Sequence, residues 1–374
     1  MLSYIEISKE NLLHNFELIR GYIHPEAKVI CVIKANAYGH GQNEVAQILE
    51  NYADYFQVDD AQELKLLREV SKKKILVLGF VAENEIEEAL RLDGILAVYD
   101  LKQVEKISEI AKKLNKNAII HIKIDACLGR QGVLVEDAQK FAQDILKFEN
   151  IEVDGIYSHF ANIEDTSDFS HAQKQIDAYR KALEIFSEAG FKDVKSHISS
   201  TAGTLVYEKN ELQSSLVRLG IGLYGLWPSV ELKNKFEKND FKLKPALRWV
   251  THIAQVKTLP ANYSIGYGLT YITSKEMKVA VIPQGYSDGY DRGLSNVGEV
   301  LIKGTRCKIL GRVAMNMFVV DVSHLADVAV EEEVVLLGKQ GEEEVTAEEI
   351  AEKTGTINYE VVARISALLQ RIVL

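Results

Sequence analysis

Short apolar runs alternate with amphipathic stretches through the first part of the chain. The runs at 29–33, 55–58, 75–80, 95–99, 118–124, 153–158, 194–198 and 216–219 predict strands. Between them, "AQELKLLREV", "DLKQVEKISEIAKKL" and "EDAQKFAQDILKF" repeat apolar residues at three and four and predict helices. Ser170 and Gln173 predict a capping box opening "SHAQKQIDAYRKALEIFSEAG", and Gly190 closes that helix. Past residue 235 the texture changes to strand-like runs separated by Gly, Asn and Asp, with "KGT" as a hairpin turn and Thr346–Glu349 capping a late helix.

Strands that each lead into a helix or a loop predict an α/β fold, a TIM-type (β/α)₈ barrel over residues 1–234. A mostly-β domain over 235–374 follows it. A doubly wound sheet is the competing topology. "GIGLYG" at 220–225 fits its G-x-G-x-x-G signature, but it lies late, runs into Trp227–Pro228 and lacks the acidic residue that should follow.

Composition narrows the class. The chain has 374 residues, 47% hydrophobic and 26% charged, as expected of a globular protein. A formal charge of −10 argues against nucleic acid and anionic membrane partners. No apolar run approaches a bilayer span, and the N-terminus has no signal-peptide core, so the expected location is cytoplasmic. The three cysteines are widely spaced and show no metal-ligand pattern, so no metal is expected.

In a barrel, chemistry collects where strands end. The first strand ends in Lys34, followed by Asn36 and Tyr38. The fifth offers Lys123, Asp125 and Arg130, and the sixth His159. The seventh ends in "HISSTAG", and the eighth carries Arg218 into Gly220–Ile221–Gly222. Alone, Lys34 reads as a solvated lysine, "SSTAG" as a helix cap, and His159 and His197 as satisfied core or rim histidines. Together they make a phosphate cradle facing a lysine, the layout of a pyridoxal phosphate enzyme whose lysine forms the Schiff base.

The segment "VIKANAYGHG" resembles the pyridoxal-attachment segment of alanine racemases. "YIEISKENLLHN", "IKIDACLGRQG", "SHFANIED", "VRLGIGLYG", "IGYGLTY", "PQGYSDGYDR", "GRVAMN" and "TINYE" extend the resemblance over nearly the whole chain. The resemblance implies a pyridoxal phosphate-dependent homodimer acting on alanine, each site completed by the partner's β domain. It makes Lys34 the cofactor anchor and one base, and Tyr267 of the partner the base on the opposite face of Cα. A free tyrosine titrates at about 10, so such a base needs cations or hydrogen bonds nearby, and His159 matches a histidine close to it.

Arg218 matches the arginine on the pyridine nitrogen. Tyr38, Ser200, Thr201, Gly220, Ile221 and Tyr359 match the cofactor-holding positions. Arg130 and Met315 match substrate-carboxylate contacts, Lys123 a lysine carbamylated in many members, and Tyr286 a supporting residue. Three departures stand out: Ser200–Thr201 in place of Asn-Ser, "ACLGR" in place of "TGMGR", and Asn316 in place of Asp. The implied role is D-alanine supply for peptidoglycan. A racemase of the same fold acting on serine or a wider set of amino acids is the alternative. A basic amino-acid decarboxylase would lack Tyr267 and Arg218 in these roles.

Overall fold

The computed structural model describes residues 2–164 and 167–374. The chain divides into two compact units. One comprises Leu12–Ala35 and Val45–Lys244; the other holds Asn36–Glu44, Pro245–Leu374 and the N-terminal segment up to Asn11.

The first unit is a nearly closed parallel barrel. Its strands are β1 (Lys28–Val32), β2 (Tyr55–Val58), β3 (Lys74–Val77), β4 (Gly94–Val98), β5 (Ala118–Asp125), β6 (Ile151–Tyr157), β7 (Lys195–His197) and β8 (Leu216–Leu219). They pair in the order β8-β1-β2-β3-β4-β5-β6-β7. Between β7 and β8 a single backbone bond, Arg218 N–H to Ser199 O at 3.0 Å, closes the ring. The strands are apolar on both faces because one side fills the barrel and the other meets helices. Ile30, Tyr55, Leu76, Ile95 and Leu216, from five different strands, form one interior layer.

The helices follow the expected logic. Leu101–Lys113 buries Val104, Ile107, Ile110 and Ala111 on one stripe, and the Asp100 carboxylate accepts the N–H groups of Lys102 and Gln103 at its start. Ser170–Glu188 departs from expectation at its start. The predicted capping box is not formed; the Asp168 carboxylate instead accepts the Ser170 N–H at 2.9 Å, since an aspartate just before the first turn reaches that donor more directly.

The second unit is built on a ten-stranded sheet. Tyr4–Ile7 belongs to it, pairing antiparallel with Leu247–His252 and parallel with Gln370–Val373. Tyr4–Ile7 thus lies in the second unit although it falls within 1–234, because its backbone groups find ladders on both sides in that sheet. The "KGT" hairpin is present between Glu299–Ile302 and Thr305–Leu310, with Lys303 and Gly304 both at positive φ. Thr346 caps Ala347–Thr354 by accepting the Glu349 N–H at 3.1 Å.

Candidate active site

Lys34 leaves β1 at the mouth of the barrel. Its Nζ donates to Asp59 Oδ1 at 3.0 Å, with both side chains partly exposed. The Glu63 carboxylate ties the two segments together, accepting the Ala35 N–H at 2.6 Å and the Asp59 N–H at 2.7 Å. Burial raises its proton affinity, and those two N–H groups pull it back.

The chain then does something its residue types do not advertise. Ala35, Asn36, Ala37 and Tyr38 all take φ between 51° and 53°, so Lys34–Tyr38 is a single left-handed turn. Such a turn costs roughly 1–2 kcal/mol per L-residue, so its surroundings must hold it. Asn36 accepts at both oxygens, from Gly41 N–H (2.9 Å) and Gln42 N–H (3.0 Å). The His40 ring bonds the Tyr38 carbonyl at 2.9 Å, and Arg371 donates twice to the Gly39 carbonyl. Gly39, at φ +81°, has no room for a Cβ, which would lie 1.9 Å from the Val362 carbonyl oxygen. His40 and the glycines are thus the clamp of a strained turn, and burial lowers His40 to about 4, keeping it a neutral hydrogen-bonding group.

Arg218 is the centre of the barrel mouth. It is 2% exposed. Nη1 donates to His197 Nδ1 (2.5 Å) and His197 O (3.3 Å). Nη2 donates to Ser158 O (2.8 Å), Ile198 O (3.0 Å) and His159 Nδ1 (3.0 Å). Its Nε bonds nothing among the described residues and remains available to a ligand. Burial pulls the guanidinium down to about 10, so it stays a cation at neutral pH.

Because an arginine N–H only donates, His159 Nδ1 is an acceptor and its proton sits on Nε2. Burial first, then the charges of Arg218, Arg130, Lys123 and Lys34, hold His159 well below its usual range. The four cations therefore converge on one region. Lys123 is buried, donates to Gln131 Oε1 at 2.8 Å, and is lowered to about 8 by burial and by Arg130 and Arg218. Arg130 is exposed on a loop pinned by the Asp125 carboxylate, which accepts the N–H groups of Leu128 and Gly129.

The loops after β7 and β8 are laced by Thr201. Its buried hydroxyl accepts the Gly220 N–H (3.2 Å) and Gly222 N–H (3.3 Å). The Gly220 N–H is thus engaged by Thr201, and Ile221 opens a short helical turn in which Leu223 N–H donates to the Gly220 carbonyl at 2.9 Å. Gly222 is required here: a Cβ would lie 2.5 Å from the Thr201 methyl. Ser200 makes no side-chain cap bond.

The remaining site residues lie in the second unit. The Tyr38 and Tyr359 rings are 6.2 Å apart. Tyr267 is 75% exposed between Gly266 and Gly268, both at positive φ. Met315 and Tyr286 are also exposed, and their loops are joined by Ser287 N–H to Met315 O (3.0 Å) and Tyr286 N–H to Ala314 O (3.1 Å). Asn316 donates to Ser287 Oγ at 2.7 Å. Asp59, Glu63, His121 and Asp154 were not among the expected site residues; a polar residue inside an apolar strand, as in "AIIHIKID", was the signal for His121.

The family models for the N-terminal and C-terminal domains of alanine racemase match residues 7–228 and 246–373. The chain is 40% identical to an alanine racemase of Methanococcus maripaludis, over 99% of this chain and 98% of that protein. The solved alanine racemase of Clostridium difficile 630 superposes with a TM-score of 0.92 at 34% identity, covering 100% of this chain and 96% of the other. An alanine racemase from Bartonella henselae, solved with covalently bound pyridoxal phosphate, gives 0.86 at 25% identity, with both chains covered over 100%.

Proposed function

Because the chain belongs to the alanine racemase family, and by that membership is an amino-acid racemase, we propose that it interconverts L- and D-alanine with bound pyridoxal phosphate. Two opposed bases do the work, Lys34 and the Tyr267 of a partner subunit in a homodimer. The observation that carries the reading is the Arg218 arrangement: a buried, fully braced guanidinium with only Nε left for a ligand, among cations that converge on His159.

The donor set suits the cofactor. Lys34 supplies an amine at the barrel mouth, Thr201, Gly220 and Ile221 gather for the phosphate with Ser200 beside them, and Tyr38 and Tyr359 are assigned to the same phosphate. When bound, the cofactor supplies the electron sink that makes the alanine Cα proton removable. Arg218 would be the residue facing the ring nitrogen, and an Nε–H that keeps its proton would leave the sink weak and limit side reactions.

Racemisation takes a proton from one face of Cα and returns one to the other, so two groups on opposite faces are needed. Lys34 Nζ serves one face and Tyr267 Oη the other. The Nε2–H of neutral His159 is the donor assigned to the tyrosine oxygen. Arg130 and the Met315 N–H of the partner subunit hold the substrate carboxylate, with Tyr286 in support. Lys123, lowered to about 8, is a carbamylation candidate, because a neutral amine is the form that attacks carbon dioxide. Among the described residues no helix is long and apolar enough to cross a membrane, and we place the enzyme in the cytoplasm, supplying D-alanine for peptidoglycan.

The test is incubation of the protein and pyridoxal phosphate with L-alanine in D₂O, following Cα–H exchange and D-alanine together. Both are expected. Exchange without inversion would overturn the two-base assignment, and no exchange would overturn the function.

A further inference from the structure

One set of buried polar groups lies deeper in the barrel than the reaction requires. Asp154 on β6, His121 on β5 and His197 on β7 link to Arg218 on β8 in a continuous line. Both histidines are 0% exposed and Asp154 is 8% exposed. We infer that Asp154, His121 and His197 form a tautomer-locking relay that positions Arg218, an inference that rests on the racemase reading only for its effect on catalysis.

The direction of every proton in the line follows from its ends. The Arg218 Nη1–H can only donate, so His197 Nδ1 at 2.5 Å must be a bare lone pair and its proton sits on Nε2. That Nε2–H donates to His121 Nδ1 at 2.8 Å, which places the His121 proton on its own Nε2. The His121 Nε2–H then donates to Asp154 Oδ2 at 3.0 Å. Reversing the line would aim a His197 N–H at an arginine N–H. A second proton on His197 would do the same, and burial with the nearby Arg218 charge holds this imidazole well below its usual range. Burial likewise lowers His121, so its contact with Asp154 is a hydrogen bond between a neutral ring and a carboxylate.

The far end is anchored. Lys195 bonds the other Asp154 oxygen, Lys74 stands 3.6 Å from it, and the Tyr55 hydroxyl donates to Oδ2 at 3.3 Å. Burial pushes the Asp154 carboxyl up, but the donors His121 and Lys195 outweigh it and keep the group ionised. Both rings are also fixed in space. A Cβ on Gly155 would sit 2.7 Å from the His121 ring, so only glycine leaves room there. The His197 ring stacks on Tyr157 at 4.9 Å and 3°. An anionic end polarises each hydrogen bond in turn, so the lone pair presented to Arg218 is a stronger acceptor than an isolated neutral imidazole. With Nη1 and Nη2 held this way, Nε keeps one direction.

Nitrogen-15 NMR of histidine-labelled protein, recorded first without cofactor, reads the tautomers directly. The relay requires His121 and His197 to carry their protons on Nε2 alone from pH 6 to 9. Asp154→Asn removes the anionic anchor but leaves an amide oxygen able to accept from His121, and Arg218 still fixes both tautomers. Both rings are therefore expected to stay protonated on Nε2 while their nitrogen shifts move toward those of an isolated neutral imidazole. With cofactor, kcat should then fall about tenfold with little change in KM, the scale of losing a residue that orients a functional imidazole. Asp154→Glu, which keeps the charge, should bring back the wild-type shifts and kcat. A wild-type His197 protonated on Nδ1, or nitrogen shifts and kcat unchanged in Asp154→Asn, would overturn the relay; the wild-type spectrum decides alone if the variant does not fold. Because that spectrum needs no turnover, an inactive enzyme would count against the proposed function and not against the relay.

Discussion

Arg218 and Tyr267 are assigned to one reaction, yet they stand at opposite extremes of exposure, 2% and 75%. Around Arg218 every hydrogen-bonding nitrogen but one is engaged, and its position is set by the register of strands and by buried imidazoles. Around Tyr267 the chain is a glycine-flanked loop, with Met315 and Tyr286 also exposed on loops of their own. The barrel mouth is wired in advance by the chain's own core. The loops of the second unit are joined by backbone bonds, but among the described residues no side-chain hydrogen bond holds Tyr267, Met315 or Tyr286, which agrees with the proposal that a second copy completes the site.

The largest effect separates the two regions outright. Lys34→Ala should lose racemisation by at least about 10⁴-fold and fail to retain cofactor after borohydride reduction, as read by intact mass. Mixed with Tyr267→Phe protein under subunit exchange, it should regain activity, because one site of the mixed dimer would hold both wild-type bases. No recovery would place both bases on one chain and end the division of labour.

Next in size, Tyr267→Phe alone should reduce kcat by roughly 10²–10⁴-fold while leaving the cofactor absorbance intact. A variant as active as wild type would remove the exposed loop from the chemistry.

The crowding of cations at the mouth is tested through Lys123. As its amine titrates at about 8, below that pH it is an ammonium and above it a nucleophile. With bicarbonate present, the carbamylated fraction should therefore rise between pH 7 and 9, measured by ¹³C NMR with labelled bicarbonate. A fraction that stays at zero across this range would show that Lys123 acts as a bare amine.

The smallest effect concerns the left-handed turn that follows Lys34. Ala35 is exposed at φ 51°, so Ala35→Gly should relieve left-handed strain and, after the backbone entropy glycine adds, stabilise the protein by roughly 0.5 kcal/mol. Chemical denaturation would show it, and a loss of stability would mean that the turn is not strained.

Much of the architecture was legible in the chain. Two of the eight barrel strands fall at the expected residues, 55–58 and 216–219, and the others shift by one to three at their ends. Periodicity reports burial, and in a parallel barrel burial is nearly continuous along each strand. Lys123, Arg130, His159, Thr201 and Arg218 were placed at strand ends by the same reasoning.

What sequence patterning determined was therefore the barrel, the mostly-β remainder and the strand-end positions of the chemistry, because these depend on local period and turn chemistry. Only the tertiary structure assigned Tyr4–Ile7 to the second sheet, since strand partners are chosen by pairing across hundreds of residues. Only it showed "KANAY" as a left-handed turn, because Asn36 alone in that stretch is a residue type that visits the left-handed region and part of the clamp comes from Arg371 far along the chain. The direction of the protons from Asp154 to Arg218 was decided the same way: it depends on which nitrogens meet, and sequence order carries no trace of that.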